Sequence, residues 1–93
     1  SRLQFGQMPS RQILRIVIPE TVSYDGLFDD ILGKYVKHFE LIGVETVNLG
    51  TAFELEYSVQ LRDLKDMKEM LDQIRERNAN LKVSVQLVPQ PNR

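Results

Sequence analysis

The 93-residue chain has no cysteine and only one histidine, His38. It therefore has no disulfide, no thiolate nucleophile and no zinc–thiolate site, and one imidazole cannot assemble a multi-histidine metal centre. No apolar run approaches the roughly 18 residues that a membrane-spanning helix requires. The sequence predicts no metal site and no cofactor. Its first residues, SRLQFGQMPSR, are typical of a linker cut from something longer and not of a signal peptide.

A strong charge of one sign is also missing. The formal net charge is −1, so no global basic field attracts nucleic acid or anionic lipid. The composition, 42% hydrophobic and 27% charged, is close to that of an ordinary soluble domain. The length suits one core. We expect one domain over residues 12–88, between a linker at 1–11 and a flexible tail at 89–93.

Apolar periodicity predicts four strands and two helices. QILRIVI (12–18) is a first strand that Pro19 ends, and FELEYSVQL (53–61) alternates apolar and polar residues throughout. IGVETVNLG (42–50) predicts a bulged second strand, and LKVSVQLV (81–88) predicts the last one. Two helical stripes lie between them: Leu27 to Phe39, capped by Ser23, and Leu64 to Ile74, capped by Asp63.

The resulting order, β-α-β-β-α-β, is that of the ferredoxin-like α+β fold. It predicts a four-stranded antiparallel sheet in the spatial order 4-1-3-2 with both helices on one face, and the right-handed crossover rule leaves few competitors. On the open face, Arg15 should pair with Glu54 or Glu56 of the neighbouring third strand. Ile13 and Val17 form an apolar centre there that charged residues surround, so we expect at most a weak homo-oligomer.

The stretch GTAFELEY (50–57) has the outline of an RNA-binding signature. RNA-recognition modules share this topology and present aromatic side chains outward from the third strand. Here Phe53 and Tyr57 have the phase of the aliphatic residues and must face the helices. The outward side offers Glu54 and Glu56, which would repel phosphates. A shift by one residue would bury both glutamates, so we predict no nucleic-acid binding.

No catalytic residue is predicted. The loop after the first strand, PETVSYDG (19–26), carries acids but no arginine, which argues against acylphosphatase-like phosphate chemistry. The acids of this loop and of the following helix could bind a hard metal, but they diverge around the helix. His38 has no partner that would make it a general base.

Two glycines, Gly26 and Gly33, fall within the segment SYDGLFDDILGKYVKHF (23–39) that carries the first helical stripe. At seven residues apart they share one side of a helix, opposite the apolar stripe. Each costs about 1 kcal/mol relative to alanine in a helix interior. They indicate either exposed positions that tolerate glycine or a smooth helix-packing strip for another chain.

Three stretches carry a family resemblance: IPE…YDGLFDDILGKY, VETVNLGTAFELEYSVQL and IRERNANLKV. From about Ile13 to Val85 they resemble the cytosolic tail of a bacterial membrane-protein family catalogued as domain of unknown function 4956. The resemblance implies several transmembrane helices before Ser1, a location on the cytoplasmic side of the bacterial inner membrane, and no established activity. The chain has Ala79 where the family has glycine, which argues against a role that needs a left-handed backbone there.

The predicted fold brings three loops together at the end of the domain away from its N-terminus. They are the loop after the first strand, the second hairpin and the loop after the second helix. Short amides, a hydroxyl, an acid and a base gather there: Glu20, Asn48, Gly50, Thr51, Arg77, Asn78 and Asn80. These residues either form turns and caps or bind a polar ligand or partner.

The first interpretation is a non-catalytic cytosolic regulatory or protein-interaction domain of a bacterial multi-pass membrane protein. Its partners would be the rest of the full-length protein or another protein, and a small polar ligand is a further option. Two alternatives remain open. One is a small-molecule-sensing domain of the ACT type, by analogy of fold; the other is an accessory domain of an enzyme whose active site lies elsewhere.

Overall fold

The computed structural model describes residues 11–88, which contain four β-strands and two α-helices. The strands are β1 (Gln12–Pro19), β2 (Val36–Val47), β3 (Ala52–Leu61) and β4 (Val83–Leu87). The helices are α1 (Asp29–Tyr35) and α2 (Met67–Arg75), and a short 3-10 helix at Leu64–Asp66 precedes α2. The predicted linker, except Arg11, and the predicted tail at 89–93 lie outside the described residues.

The four strands form one antiparallel sheet in the order β2-β3-β1-β4. This is the predicted order counted from the other edge. β1 lies inside the sheet, between β3 and β4, and it is apolar on both faces: Ile13 and Val17, each 7% exposed, are on the open face, and Leu14, Ile16 and Ile18 are on the other.

Both helices pack on the same face of the sheet and close one core. Its buried members are Leu14, Ile16, Ile18, Phe28, Ile31, Leu32, Tyr35, Val36, Leu55, Tyr57, Val59, Leu61, Met70 and Ile74. Tyr57 belongs to this core and Phe53 packs against it. The predicted phase of β3 is therefore confirmed: its aromatic side chains face the helices, and Glu54 and Glu56 point to the open face.

The open face carries the predicted cross-strand pair. Arg15 lies directly opposite Glu56 in the β1–β3 register, and its Nη2 is 3.7 Å from the Glu56 carboxylate. Its Nη1 also donates a hydrogen bond of 2.8 Å to Gln86 Oε1 on β4. One guanidinium thus connects three adjacent strands on the open side of the sheet.

Helix α1 is shorter than its apolar stripe predicted. Residues 24–28 form turns, in which Leu27 N–H donates to the Tyr24 carbonyl (3.1 Å) and Asp29 N–H donates to the Gly26 carbonyl (3.3 Å). Gly26 has a φ of 71°, a left-handed conformation that glycine adopts readily. The helix consequently starts after this turn, and Ser23 does not cap it.

β2 begins at Val36 and not near Ile42, because the chain changes from helix to strand directly after Tyr35. It pairs with β3 from Val36 opposite Leu61 to Val47 opposite Ala52. The register shifts between Val36 and His38 and again between Leu41 and Gly43. The second shift confirms the predicted bulge.

The second helical segment starts at its predicted cap. The Asp63 carboxylate accepts a hydrogen bond of 3.0 Å from the Lys65 N–H and so satisfies a free donor at the start of the 3-10 helix. Neither α1 nor α2, the helices of the described part of the chain, combines the length and apolarity needed to cross a membrane.

Candidate functional site

Three loops meet at one end of the sheet, which we call the loop end. They are the loop after β1 (20–28), the β2–β3 hairpin (48–51) and the loop between α2 and β4 (76–82). Glu20 N–H donates to the Thr51 carbonyl (3.1 Å), and Val17 N–H donates to the Lys82 carbonyl (2.9 Å). The predicted convergence of these loops is confirmed by these backbone bonds.

The hairpin has an unusual backbone. Asn48, Leu49 and Gly50 have φ values of 54°, 56° and 85°. Two hydrogen bonds close the turn. Gly50 N–H donates to the Val47 carbonyl (3.0 Å), and the Thr51 hydroxyl donates to the Asn48 carbonyl (2.9 Å). Asparagine and glycine adopt such angles readily, whereas for leucine they cost roughly 1–2 kcal/mol.

Leu49 is fully exposed, with a relative accessibility of 104%. An exposed side chain of this kind gains nothing from packing that would offset its backbone strain. Sequence analysis missed Leu49, because one leucine between asparagine and glycine looks like an ordinary turn residue. Its conformation and exposure together make it the most informative residue of the loop end.

Asn78 is fully buried and anchors the loop between α2 and β4 to the sheet. Its Nδ2 donates to the carbonyls of Val17 (3.0 Å), Leu81 (3.2 Å) and Lys82 (3.4 Å). A buried amide held by three backbone oxygens is not presented to a ligand. The sequence predicted either a turn-forming role or a ligand-binding role for this residue, and the geometry supports the turn-forming role.

Arg77 is also engaged within the domain. Its Nη1 donates to the Leu27 carbonyl (2.9 Å) and to Asp30 Oδ1 (2.5 Å), and its Nη2 donates to Asp30 Oδ2 (2.7 Å). These hydrogen bonds and the guanidinium charge lower the pKa of Asp30 from 3.8 to about 2, and the same contact raises the pKa of Arg77. The arginine thus links the end of α2 to the start of α1.

The α2–β4 loop turns through two left-handed residues, Ala79 and Asn80, with φ values of 59° and 60°. Alanine at position 79 argued against a role that needs a left-handed backbone, but the backbone there is left-handed. The Asn80 N–H donates to the Arg75 carbonyl (3.2 Å) and so satisfies one acceptor at the end of α2. This bond explains why the turn is retained although alanine disfavours it.

A cavity of about 300 Å³ opens on the open-face side of the loop end. Its lining residues are Val17, Val47, Asn48, Glu54, Leu81 and Lys82. Of the predicted site residues, only Asn48 lines it. Glu20, Gly50, Thr51 and Asn80 are exposed elsewhere at the loop end, so the structure brings the predicted residues to one end but does not gather them around one pocket.

The predicted glycine strip does not lie on one helix. Gly26 lies in the turn before α1, and only Gly33 is helical. A Cβ atom added at Gly33 would have no atom within 4 Å. Gly33 is an open surface position, and the turn at Gly26 separates the two residues, so they do not form a continuous strip along one helix.

The edge strand β2 carries a second exposed surface that sequence analysis missed. Phe39, Leu41 and Val44 are 37%, 41% and 40% exposed. They lie opposite Val59, Tyr57 and Leu55 of β3 and therefore on the helix side of the sheet. The sequence did not indicate a strand here, because residues 36–39 also continue the helical spacing of α1.

No protein-family model and no curated protein matches the chain. The chemistry of the site is therefore inferred from its geometry. Within residues 11–88, no three histidine or acidic side chains are grouped so that they could hold a metal ion. The notable features of the loop end are the exposed Leu49 on a left-handed backbone and a cavity of about 300 Å³.

Proposed function

We propose that this chain is a non-catalytic regulatory or protein-interaction domain with a ferredoxin-like fold, located on the cytosolic side of a bacterial multi-pass membrane protein. The membrane context rests on the resemblance of its three motifs to domain of unknown function 4956. The interaction role rests on one observation, the exposed Leu49 on a left-handed backbone.

Leu49 costs stability in the free domain, and contact with a partner offsets that cost. Full burial of a leucine side chain contributes about 1.5–3 kcal/mol, which is comparable to the roughly 1–2 kcal/mol of its left-handed backbone. A hairpin selected for stability alone would have asparagine or glycine at this position. The leucine is therefore best explained by a surface that receives it.

The surroundings of Leu49 have the composition of a protein interface. Glu20, Thr51 and Asn80 are exposed polar residues at the same end of the sheet as this apolar side chain. Interfaces combine an apolar centre with a polar rim in this way. The partner is another part of the full-length protein or a second protein.

Photo-crosslinking in the full-length protein tests this proposal. Leu49 is replaced by a photoreactive phenylalanine analogue, and the matched control carries the analogue at Leu64, which is also exposed but begins the 3-10 helix. We expect a discrete adduct, or an internal crosslink to the membrane region, from position 49 only. Equal labelling from both positions would contradict the interaction role. A gene product without membrane-spanning segments would contradict the membrane context.

A second candidate, ACT-like sensing of a small molecule, is favoured by the cavity at the loop end. Its lining combines the carboxylate of Glu54 and the ammonium of Lys82 with apolar residues, a combination that suits a zwitterion such as an amino acid. A thermal-shift series with amino acids tests it on the parent, on Lys82→Met and on the control Lys65→Met. Saturable stabilisation that only Lys82→Met abolishes would support sensing; no shift in any variant would remove this candidate.

A further inference from the structure

We propose that two copies of this chain associate through β2, whose outer edges pair antiparallel and join the two sheets into one. The inference concerns a different surface from the loop end. It requires neither the membrane context nor a partner for Leu49.

β2 is an open edge of unusual length. It has twelve residues, more than any other strand in the described part of the chain, and within residues 11–88 it pairs only with β3. Its outer side therefore presents a row of backbone N–H and C=O groups, which is a template for another strand. Edge strands that must stay single are commonly short or contain proline; β2 is neither short nor interrupted by proline.

The same strand has an apolar row that no helix or strand of residues 11–88 covers. Phe39, Leu41 and Val44 are each more than a third exposed on the helix side of the sheet. Helix α1 ends at Tyr35 after seven residues and leaves this part of β2 bare. A second strand alongside would bury these side chains against apolar side chains of the same kind.

The sequence of β2 is complementary to itself when two copies overlap along their full length. Phe39 of one copy then lies opposite Val44 of the other, and His38 lies opposite Glu45. Each pair lies on one face, because the register with β3 places Phe39 and Val44 on the helix side and His38 and Glu45 on the open side. Apolar thus meets apolar, and the imidazole meets a carboxylate.

Neighbouring registers are less favourable. A shift of two residues in one direction sets Glu40 opposite Glu45, and like charges directly opposite each other destabilise a sheet. A shift of two residues in the other direction sets Glu40 opposite Leu41, whose side chains point to opposite faces. The full overlap avoids both conflicts, which favours a second copy of this chain over an unrelated strand.

The association should be weak in the isolated chain. One strand and one apolar row fall near or below the roughly 1,200 Å² at which specific interfaces begin. This agrees with the expectation of at most a weak homo-oligomer, although the surface is β2 and not the open face.

Disulfide trapping tests the register directly, because the natural chain has no cysteine. The Phe39→Cys and Val44→Cys variants are mixed and oxidised. The Cα atoms of opposed residues in antiparallel strands lie about 4.5–5.5 Å apart, a distance that a disulfide can span. The control mixes Phe39→Cys with Thr46→Cys, which lies on the same face two residues along. We expect at least about fivefold more mixed disulfide in the first mixture, since the control pair is beyond the disulfide range. Equal yields, or none, would overturn the proposal.

Sedimentation equilibrium between about 10 μM and about 1 mM provides an independent test. The parent should dimerise reversibly, Leu41→Lys should raise the dissociation constant at least about tenfold, and Leu87→Lys should not change it. Leu87 is the matched control because it is a similarly exposed residue of the opposite edge strand, β4. A monomeric parent at 1 mM, or a dimer that only Leu87→Lys disrupts, would refute pairing through β2; circular dichroism checks that each variant folds.

Discussion

Asn78 holds two elements together through a single buried amide. Its Nδ2 reaches the Val17 carbonyl of β1 at 3.0 Å and two carbonyls of its own loop. Asn78→Ala should lower the free energy of unfolding by about 1–3 kcal/mol, because it removes the buried hydrogen bond from Nδ2 to the Val17 carbonyl. Asn78→Asp should lower it further at neutral pH, since a carboxylate would then face the same oxygens. Urea unfolding measures both.

Asn80→Gly is the control for Asn78. Asn80 is exposed and left-handed, and glycine tolerates that backbone, so the free energy of unfolding should change by less than about 0.5 kcal/mol. If Asn78→Ala is no more destabilising than Asn80→Gly, the buried amide does not anchor the loop.

In the same turn, replacing Ala79 by glycine should stabilise the fold. Its φ of 59° costs an alanine roughly 1–2 kcal/mol, while glycine costs about 0.4–1 kcal/mol through the greater freedom of the unfolded chain. Ala79→Gly should therefore raise the free energy of unfolding by up to about 1.5 kcal/mol. Ala52→Gly, at the only other alanine of the chain, lies within β3 and should lower it by about 0.5–1 kcal/mol. A decrease for both would contradict the backbone argument.

Sequence periodicity predicts which face a residue occupies but not its distant partner. The two-residue repeat of β3 correctly placed Phe53 and Tyr57 inward, and the strand order correctly paired Arg15 with Glu56. The roles of Arg77 and Asn78 were left open because their partners are 47 and 61 residues away. Such contacts depend on how the elements pack, and local patterns carry no information about them.

At the scale of elements, the boundary between α1 and β2 could not be predicted. Leu32, Tyr35, Val36 and Phe39 fit helical spacing, while residues 36–41 are also compatible with a strand. Pairing of Val36 opposite Leu61 decides the outcome, which shows tertiary contact overriding local preference. β3 allowed no such ambiguity, since its alternation is regular from end to end.

The link between α1 and α2 makes stability depend on pH. The pKa of Asp30 is about 2 in the folded chain against 3.8 for a free carboxyl. A depressed folded pKa stabilises the fold above pH 3.8, and this contribution is lost as the pH falls towards 2. Asp30→Asn should therefore flatten the decline in unfolding free energy over that interval, as urea titrations at several pH values would show.

Arg77→Met distinguishes the ion pair from other effects of acid. If the ion pair is responsible, Arg77→Met should also flatten the decline in unfolding free energy over this pH interval. The variant that carries both substitutions should then show the same pH dependence as either single variant. Additive changes in the double variant would mean that Asp30 responds to groups other than Arg77.

At the scale of the whole molecule, the two proposed surfaces are compatible. Antiparallel pairing through β2 relates the copies by a twofold axis near the middle of that strand. The two hairpins then lie at opposite ends of the joined sheet, because each follows Val47 at the end of its own β2. Dimerisation leaves both Leu49 side chains free for a different partner.

The sheet order also predicts a hierarchy of backbone stability, measurable by amide hydrogen exchange in dilute solution. β1 is buried on both faces and lies between β3 and β4, so its amides should exchange only through global unfolding. The amides on the outer side of β2 have no partner strand within residues 11–88 and should exchange fastest among the strands. Raising the concentration to about 1 mM should slow only these β2 amides if two copies pair there. If β2 is as well protected as β1 at high dilution, its edge is covered within a single chain, and the pairing of two copies would have to use another surface.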